Sequence, residues 1–287
     1  MSLSEMNEIE LVELPAHRIF EELGYQTLEG TDVTSERQSY SDVILTTRLE
    51  RKIRELNPDL PEIVYETTIN QVKSLSNPST IQNNQEFHQM LLAGVKVPFQ
   101  SEGQTKYYAV RLLDFENPQN NDFAAVRQLI VLQHKQKRLD HVLFVNGLPL
   151  VILEYKDPMN PAADIVAAHK QLGIGNYQKH IPRIFNYNAF LIISDKTHAR
   201  YGTMTAPFER FSDWNDPEDP DRTVANRLEM LQRLMLNKET LLELIQNYLE
   251  YESGGKRTVK KIAQQHQYLG AKKAVEKTLE VFSQKDE

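Results

Sequence analysis

Two carboxylates and a lysine near the middle of the chain have the residue types and the spacing of a metal-dependent hydrolytic site. In RLDHVLFVNGLPLVILEYK, Asp140 begins one apolar run, and Glu154 and Lys156 end the next. Carboxylates within reach of one another bind a hard divalent cation such as Mg²⁺, which activates bound water and polarises a phosphate. A nearby lysine can stabilise the negative charge that develops during the reaction. The alternative is that the three are ordinary charged residues where strands meet water.

The two apolar runs predict a β-hairpin, and its turn decides whether the three side chains meet. Asn146-Gly147 is a strong turn signal, and Glu154 and Lys156, two residues apart, share one face of their strand. A simple two-residue turn places Asp140 on the opposite face, whereas an odd loop length or a bulge brings it onto the shared face. The side chain of Tyr155 points away from this face, but its backbone carbonyl is a candidate metal ligand.

The elements that must position these residues predict a mixed α/β fold. Helical periodicity predicts helices over residues 6–24, 41–56, 61–75, 84–93 and 161–172. Runs rich in β-branched and aromatic residues predict strands over 95–99, 106–115, 125–132, 140–145 and 149–156, and a strand buried on both faces over 188–193. The order of these elements predicts a mixed β-sheet flanked by helices.

The composition of the chain changes after Trp214. The string NDPEDPDRT is acidic and Pro-rich and predicts a linker or surface loop. Residues 222–250 predict an amphipathic helix, which Gly254-Gly255 ends, and the tail from Lys256 is basic. We therefore expect a first domain over 1–215, a helical linker over 216–255 and the start of a further domain over 256–287.

The bulk composition limits where the chain works and what it binds. The absence of cysteine excludes disulfides and thiolate metal sites. No apolar run approaches the roughly 20 residues needed to cross a bilayer, and the acidic start lacks a secretion signal, so we expect a cytoplasmic protein without a membrane partner. A net charge of −7 argues mildly against nucleic acid, although carboxylates that hold cations reverse the local field.

Long strings of this sequence resemble the N-terminal nuclease domain of type I restriction enzyme R subunits, which belongs to the PD-(D/E)xK nuclease superfamily. The resemblance covers roughly residues 5–215 and rests on the strings 114–123 (DFENPQNNDF), 138–156, 181–195 (IPRIFNYNAFLIISD) and 199–214 (ARYGTMTAPFERFSDW). It implies a restriction-endonuclease-like core, with Asp140 and Glu154 as metal ligands and Lys156 as the catalytic lysine of a Mg²⁺-dependent DNA endonuclease. The family usually has proline before the aspartate, where this chain has Leu139.

The resemblance also implies supporting residues. The family carries a Gln-x-x-x-Tyr motif on the helix after the lysine, thought to help bind DNA and support the site. Its counterpart here is Gln171 and Tyr177, with five residues between them instead of three, and Gly173 and Gly175 are expected to end the helix early. Glu50 could match an acidic residue that some members place behind the metal, or it is a solvated helical glutamate.

The basic tail resembles the start of the family's helicase-like motor. Gln267, in KKIAQQHQYLGAKKAVEKT, matches a residue that reads adenine, but no GxxxxGK[ST] string follows. ATP is therefore expected to serve a longer motor protein, of which this chain looks like the N-terminal part. The implied partners are double-stranded DNA and the methylation and specificity subunits of a type I restriction complex.

Other interpretations stay open. A degenerate nuclease fold that clamps DNA or aids assembly fits Leu139 and the stretched Gln–Tyr spacing, but the intact Asp, Glu and Lys oppose it. A free-standing nuclease of a related family is disfavoured by the helicase-like tail. Lys135, Lys137 and Arg138, beside the hairpin, could track a DNA backbone or form a solvated strand edge.

Overall fold

The strands around the Asp140–Lys156 hairpin lie at the centre of a large mixed sheet. The computed structural model describes residues 2–101, 103–160, 162, 164–216, 226–255 and 257–283. Its strands are β1 (Gln26–Glu29), β2 (Val95–Ser101), β3 (Gln104–Val110), β4 (Phe123–Leu132), β5 (Gln136–Val145), β6 (Leu148–Tyr155), β7 (Phe190–Ser194), β8 (Ala199–Gly202), β9 (Ser212–Asp213), β10 (Leu249–Gly254) and β11 (Arg257–Ile262).

Helices cover the sheet and continue through the C-terminal part of the described chain. They are α1 (Leu3–Glu8), a π-helical turn (Ile9–Glu13), α2 (Leu14–Glu22), α3 (Thr46–Leu56), α4 (Glu62–Lys73), α5 (Thr80–Ala93), α6 (Ile165–Leu172), α7 (Tyr177–His180), α8 (Pro182–Phe185), α9 (Arg227–Met235), α10 (Lys238–Asn247) and α11 (Gln265–Ser283). The predicted fold class, a mixed sheet flanked by helices with a C-terminal helical segment, is confirmed.

Seven of the described strands form the main sheet in the order β1-β4-β5-β6-β7-β8-β9. The pairs β1–β4 and β6–β7 are parallel, and the other neighbours in the sheet are antiparallel. Helix α6 lies in the connection between the parallel strands β6 and β7 and packs against both, as a parallel crossover requires. Every residue of β6 and β7 is buried, so these two strands form the centre of the core.

Several predicted element boundaries were wrong. The helix expected from Ser41 begins at Thr46, because the preceding residues Val43, Ile44 and Leu45 are buried and Leu45 N–H donates to the carbonyl of Gly147 (2.9 Å). The single helix expected over 222–250 is the pair α9 and α10, separated at Asn237, whose side chain caps α10. Residues 217–225, which include the first four residues of the predicted helix, and Pro161 lie outside the described residues.

The described elements after residue 225 pack on the part of the chain that was predicted to be the first domain. Helix α9 lies against α2, where Gln232 Nε2 donates to the carbonyl of Ala16 (2.9 Å). The hydroxyl of Tyr25 donates to the carbonyl of Leu236 (2.7 Å). In the hairpin of β10 and β11, the Lys260 side chain is buried. Of the helices in the described ranges, none has the length and apolar character needed to cross a membrane.

Candidate active site

The β5–β6 hairpin combines a two-residue turn with a bulge. Asn146 and Gly147 both have positive φ angles, 52° and 81°, and they connect Val145 directly to its pairing partner Leu148, as in a tight hairpin. The register then shifts, so that Leu150 is an extra residue in β6. This bulge moves the rest of β6 by one position and turns its far half onto the opposite face.

The bulge brings Asp140 opposite Glu154. Beyond it, His141 pairs with Leu153, and the next pair along the same register is Asp140 and Glu154. Both side chains therefore point to one face of the sheet. Of the turn alternatives that the sequence left open, the structure has the bulge.

Hydrogen bonds fix the three residues at the strand ends. The Tyr155 N–H donates to Asp140 Oδ2 (2.7 Å). Lys156 Nζ donates to Glu154 Oε1 (2.9 Å) and to the carbonyl of Tyr155 (2.5 Å), so the predicted ligand carbonyl accepts from the lysine in this arrangement. Glu154 Oε2 is buried and has no hydrogen-bond partner in the described part of the chain. A buried oxygen without a partner is costly and indicates a place for a ligand.

Two further carboxylates, from the first helices, complete the cluster. Single carboxylate oxygens of Glu8, Glu13 and Asp140 all lie within 4.8 Å of one another. Glu8 ends α1, and Glu13 ends the π-helical turn Ile9–Glu13. Backbone hydrogen bonds in a π-helical turn join residues five apart, which brings Glu8 and Glu13 onto one side. At ordinary α-helical spacing, the two side chains would diverge.

Packing anchors the acidic helices over the sheet. The Gln128 amide donates to both oxygens of Glu13 (2.8 and 2.6 Å), and Arg127 Nη1 lies 3.4 Å from Glu13 Oε2. Gln128 has φ 55°, and this left-handed kink in β4 lies opposite Asp140 in the strand register. The Ser4 hydroxyl donates to Asp157 Oδ2 (2.8 Å) and fastens α1 just beyond β6.

The carboxylates give the site a negative charge, and most of its side chains are buried. Burial, and then the charge of Asp140, raises the pKa of Glu8 and of Glu13 to about 7. Burial also raises the pKa of Asp140, and that of Glu154 lies well above its usual range because of burial and then of Asp140. Burial lowers the pKa of Lys156, but the surrounding carboxylates outweigh it and leave this pKa raised.

The predicted glutamine and tyrosine meet despite their long spacing. Helix α6 ends at Leu172, and Tyr177 begins α7. Gln171 Nε2 donates to the Tyr177 hydroxyl (2.7 Å), which donates in turn to the carbonyl of Arg138 (2.8 Å). Because Arg138 lies two residues before Asp140 on β5, this chain of hydrogen bonds links α6 and α7 to the strand that carries the candidate metal ligand.

Two other sequence candidates lie elsewhere. Glu50 is exposed on α3, and the acidic cluster is completed by Glu8 and Glu13, which the sequence analysis missed. One signal was available: Glu13 falls at positions i−3 and i−7 from the buried Ala16 and Phe20, so a carboxylate interrupts an apolar helix face. Gln267 is exposed, and its side chain accepts from the N–H of Gln264 (2.9 Å) at the start of α11.

The donor set fits a hard divalent cation. All of the clustered ligand atoms are carboxylate oxygens, which Mg²⁺ prefers. Glu8, Asp140 and Glu154 share the charge of Lys156, Glu13 pairs with Arg127, and the unpartnered Glu154 Oε2 leaves a buried acceptor for a ligand. The raised pKa values of Glu8 and Glu13 show that removal of solvent disfavours their charged forms when no cation is bound.

Comparisons with known proteins find one family and several relatives. Residues 5–210 match the model of the family described as type I restriction enzyme R protein N terminus. The chain is 34% identical over 293 residues to the type I restriction enzyme HindI endonuclease subunit of Haemophilus influenzae, covering 98% of this chain and 27% of that protein. It is 30% identical over 303 residues to the putative type I restriction enzyme MjaIXP endonuclease subunit of Methanocaldococcus jannaschii, covering 96% and 28%.

Proposed function

Because the chain belongs to the family of type I restriction enzyme R protein N termini, we propose that it is the Mg²⁺-dependent DNA endonuclease part of a type I restriction-modification complex. The observation that carries the proposal is the convergence of Asp140, Glu154 and Lys156 with Glu8 and Glu13 at one buried position. The family gives the class of substrate, and the carboxylate cluster supplies the means to hydrolyse a phosphodiester.

Each residue of the site has a chemical task in this proposal. Asp140, Glu8 and Glu13 would hold the cation, with the free oxygen of Glu154 as a further donor. A bound Mg²⁺ would supply Lewis-acid activation of the phosphate and of the attacking water. The Lys156 ammonium, which Glu154 and the Tyr155 carbonyl hold at the strand end, would stabilise charge on the phosphate oxygens. Gln171 and Tyr177 would position the β5 backbone beside the DNA.

The proposal includes a larger assembly. The chain spans about a quarter of the length of the two relatives that it matches at 30% identity or more, 27% and 28%. We expect an ATP-driven motor in the remaining length, with Gln267 near its nucleotide. The methylation and specificity subunits of a type I complex would provide recognition of the sequence, because the described cluster is suited to phosphodiester chemistry and contains no base-reading element that we identify.

Metal binding is the first test. Calorimetric titration of Mg²⁺ into the wild-type chain should show heat of binding at pH 8, and Asp140→Asn should lose it. Glu13→Gln should weaken binding, because it removes one of the three clustered carboxylates. Lys156→Ala should retain binding, since the lysine is not a ligand. Equal binding by wild type and Asp140→Asn would contradict the metal site.

DNA cutting is the second test. In an assembly of the longer, motor-containing subunit with the methylation and specificity subunits, Lys156→Ala should slow cutting at least about 100-fold, as removal of a group that stabilises transition-state charge does, while ATP hydrolysis continues. Lys273→Ala, which changes an exposed lysine on α11, is the matched control and should cut normally. Undiminished cutting by Lys156→Ala would refute the assigned role. A wild-type assembly that binds DNA but never cuts would identify a degenerate fold that clamps DNA.

A further inference from the structure

A cluster of cationic and histidine side chains lies beside the candidate active site, on the β4–β5 turn, the first residues of β5 and α7. We call it the basic edge and define it by His134, Lys135, Lys137, Arg138, Lys179 and His180. Lys135, Arg138 and Lys179 are exposed, and Lys137 is half-buried. In a chain with a net charge of −7, such a local concentration of positive charge needs an explanation.

The basic edge is held together by fixed contacts between the β4–β5 turn and α7. The N–H of His134 donates to the carbonyl of His180 (3.0 Å). Lys137 Nζ lies 5.6 Å from the centre of the Tyr177 ring, within the range of a cation–π interaction. Partial loss of water and then the charges of neighbouring lysines lower the pKa of His180. The positive charges therefore act on one shared region.

The basic edge borders the carboxylate cluster. Arg138 and Asp140 are two residues apart on β5 and point to the same face. Lys135 lies in the β4–β5 turn, five residues before Asp140, so at most about 17 Å of extended chain separates the two residues. Phosphates on one strand of B-form DNA are separated by roughly 3.4 Å of helix axis, so this length corresponds to about five consecutive nucleotides.

The cations of the basic edge form no close ion pairs, although the charge of Arg138 lowers the pKa of Glu8 and of Asp140 from a longer distance. Among the described residues, no acidic side chain lies within 4.0 Å of the charged atoms of Lys135, Lys137, Arg138 or Lys179. Arg48 and Arg127, in contrast, each pair with two carboxylates. Cations that are grouped, accessible and unpaired are suited to an anionic partner that carries regularly spaced charges.

We propose that the basic edge binds the sugar-phosphate backbone of double-stranded DNA and guides one strand towards Asp140 and Lys156. This inference rests on the proposed nuclease function and adds the surface on which the substrate lies. The contacts are to phosphates, so the edge binds without regard to sequence. Binding releases counterions, which makes it depend steeply on salt concentration.

The test is a salt titration of DNA binding by the 287-residue chain. The probe is a fluorescein-labelled duplex of arbitrary sequence, observed by anisotropy between about 50 and 200 mM KCl, with Ca²⁺ replacing Mg²⁺ to prevent cutting. The variant Lys135→Gln/Lys137→Gln/Lys179→Gln should bind at least about tenfold more weakly at about 100 mM KCl. The slope of log K against log [KCl] should become shallower by about 3, because each substituted lysine leaves one phosphate without its cation and removes about one unit of slope.

A matched triple variant controls for net charge. Lys96→Gln/Lys106→Gln/Lys273→Gln removes the same charge from exposed lysines of β2, β3 and α11 and should keep the wild-type slope, with circular dichroism confirming the fold of both triple variants. Equal slopes for the basic-edge triple variant and wild type, or equal losses of affinity in both triples, would overturn the proposal. Equally tight binding of duplex RNA, with the same salt slope, would overturn the assignment to DNA.

The test of the basic edge can fail or succeed independently of the test of the metal site. Asp140→Asn should retain salt-dependent DNA binding, because the basic edge does not include this carboxylate. A failed salt titration together with normal loss of Mg²⁺ binding in Asp140→Asn would overturn the basic edge alone. Slopes that fall as predicted, together with unchanged Mg²⁺ binding in Asp140→Asn, would confirm the basic edge and refute the metal site.

Discussion

Four carboxyl groups gathered with one lysine reduce the stability of a protein unless something neutralises them. Asp140 and Glu154 are fully buried in a negative surrounding, and burial of a charged group is costly without a partner. The raised pKa values of Glu8 and Glu13, about 7, mean that protons provide part of this neutralisation when no cation is bound. A divalent cation would do so more completely.

A buried histidine away from the site gives a prediction on stability. Burial, and then the charge of Lys260, lowers the pKa of His88 to about 4, so the folded protein keeps this ring neutral while the unfolded chain protonates it near 6.5. Its contribution to stability is therefore largest above about pH 6.5 and is lost as the pH falls from about 6.5 towards 4. Between about pH 7.5 and 5, the free energy of unfolding should fall about 2 kcal/mol further in wild type than in His88→Gln.

Urea unfolding at the two pH values measures this difference. The control is His266→Gln, which changes an exposed histidine near the start of α11 and should follow wild type at both values. Parallel losses of stability in wild type and His88→Gln would show that the ring of His88 is protonated in the folded protein.

At the residue scale, the sequence was informative only where ordinary periodicity applies. Glu154 and Lys156 share a face in any strand. The side chains of Glu8 and Glu13 lie on the same side only because the backbone between them forms a π-helical turn. Nothing in the residue spacing predicts that turn. The resemblance to a known family indicated Gln171 and Tyr177, but their contact depends on a second short helix beginning at Tyr177.

At the scale of elements, the turn of the β5–β6 hairpin joins the site to α3. Gly147 has φ 81°, and a Cβ atom added there would lie 2.5 Å from the carbonyl oxygen of Leu45 and 2.9 Å from the nitrogen of Leu49. Gly147→Ala must therefore strain the turn and displace the start of α3. We expect it to reduce the free energy of unfolding by about 2–4 kcal/mol, measured by urea unfolding.

Gly103→Ala is the matched control for backbone conformation. Gly103 also has a positive φ, 77°, but an added Cβ would meet nothing within 4 Å. Its substitution should cost only about 1 kcal/mol, the penalty of the left-handed conformation itself. Equal losses of stability at the two glycines would show that contact with α3 contributes nothing.

The contact between the β5–β6 turn and the start of α3 shows why some element boundaries could not be predicted from the sequence. The four central strands of the sheet, β4 to β7, were predicted from their composition to within about four residues, because burial on both faces requires apolar runs. The edge strands β1, β8 and β9 are short and were not predicted. The start of α3 was wrong because a tertiary hydrogen bond from Leu45 to Gly147 overrides a local capping signal. The bulge at Leu150, which assembles the site, directly follows Pro149, and a proline inside a central strand is typical of a bulge, but the sequence analysis did not use this signal.

At the scale of the whole molecule, the described part of the predicted linker completes the core of the first domain. Leu231, Met235 and Leu241 are fully buried, and α9 covers α2, the helix that follows the acidic π-helical turn. A chain ended at residue 215 would expose this apolar surface. We expect it to lose at least about 3 kcal/mol of stability, or about 6–12 °C in Tm, as measured by differential scanning calorimetry.

A shorter truncation is the control. Of the described residues, a chain ended after Lys272 removes only exposed ones of α11, and it should melt within about 2 °C of wild type, the shift expected for less than about 1 kcal/mol. An unchanged Tm for the chain ended at residue 215 would show that the first domain is stable by itself.

The attachment of α1 to Asp157 has a consequence during synthesis. Translation adds roughly 5–20 residues per second, so Glu8 and Glu13 leave the ribosome many seconds before Asp140, Glu154 and Lys156 have been made. During that interval the nascent chain has acidic helices but none of their partners at the strand ends. The proposed cutting centre therefore cannot form until residue 156 has been made.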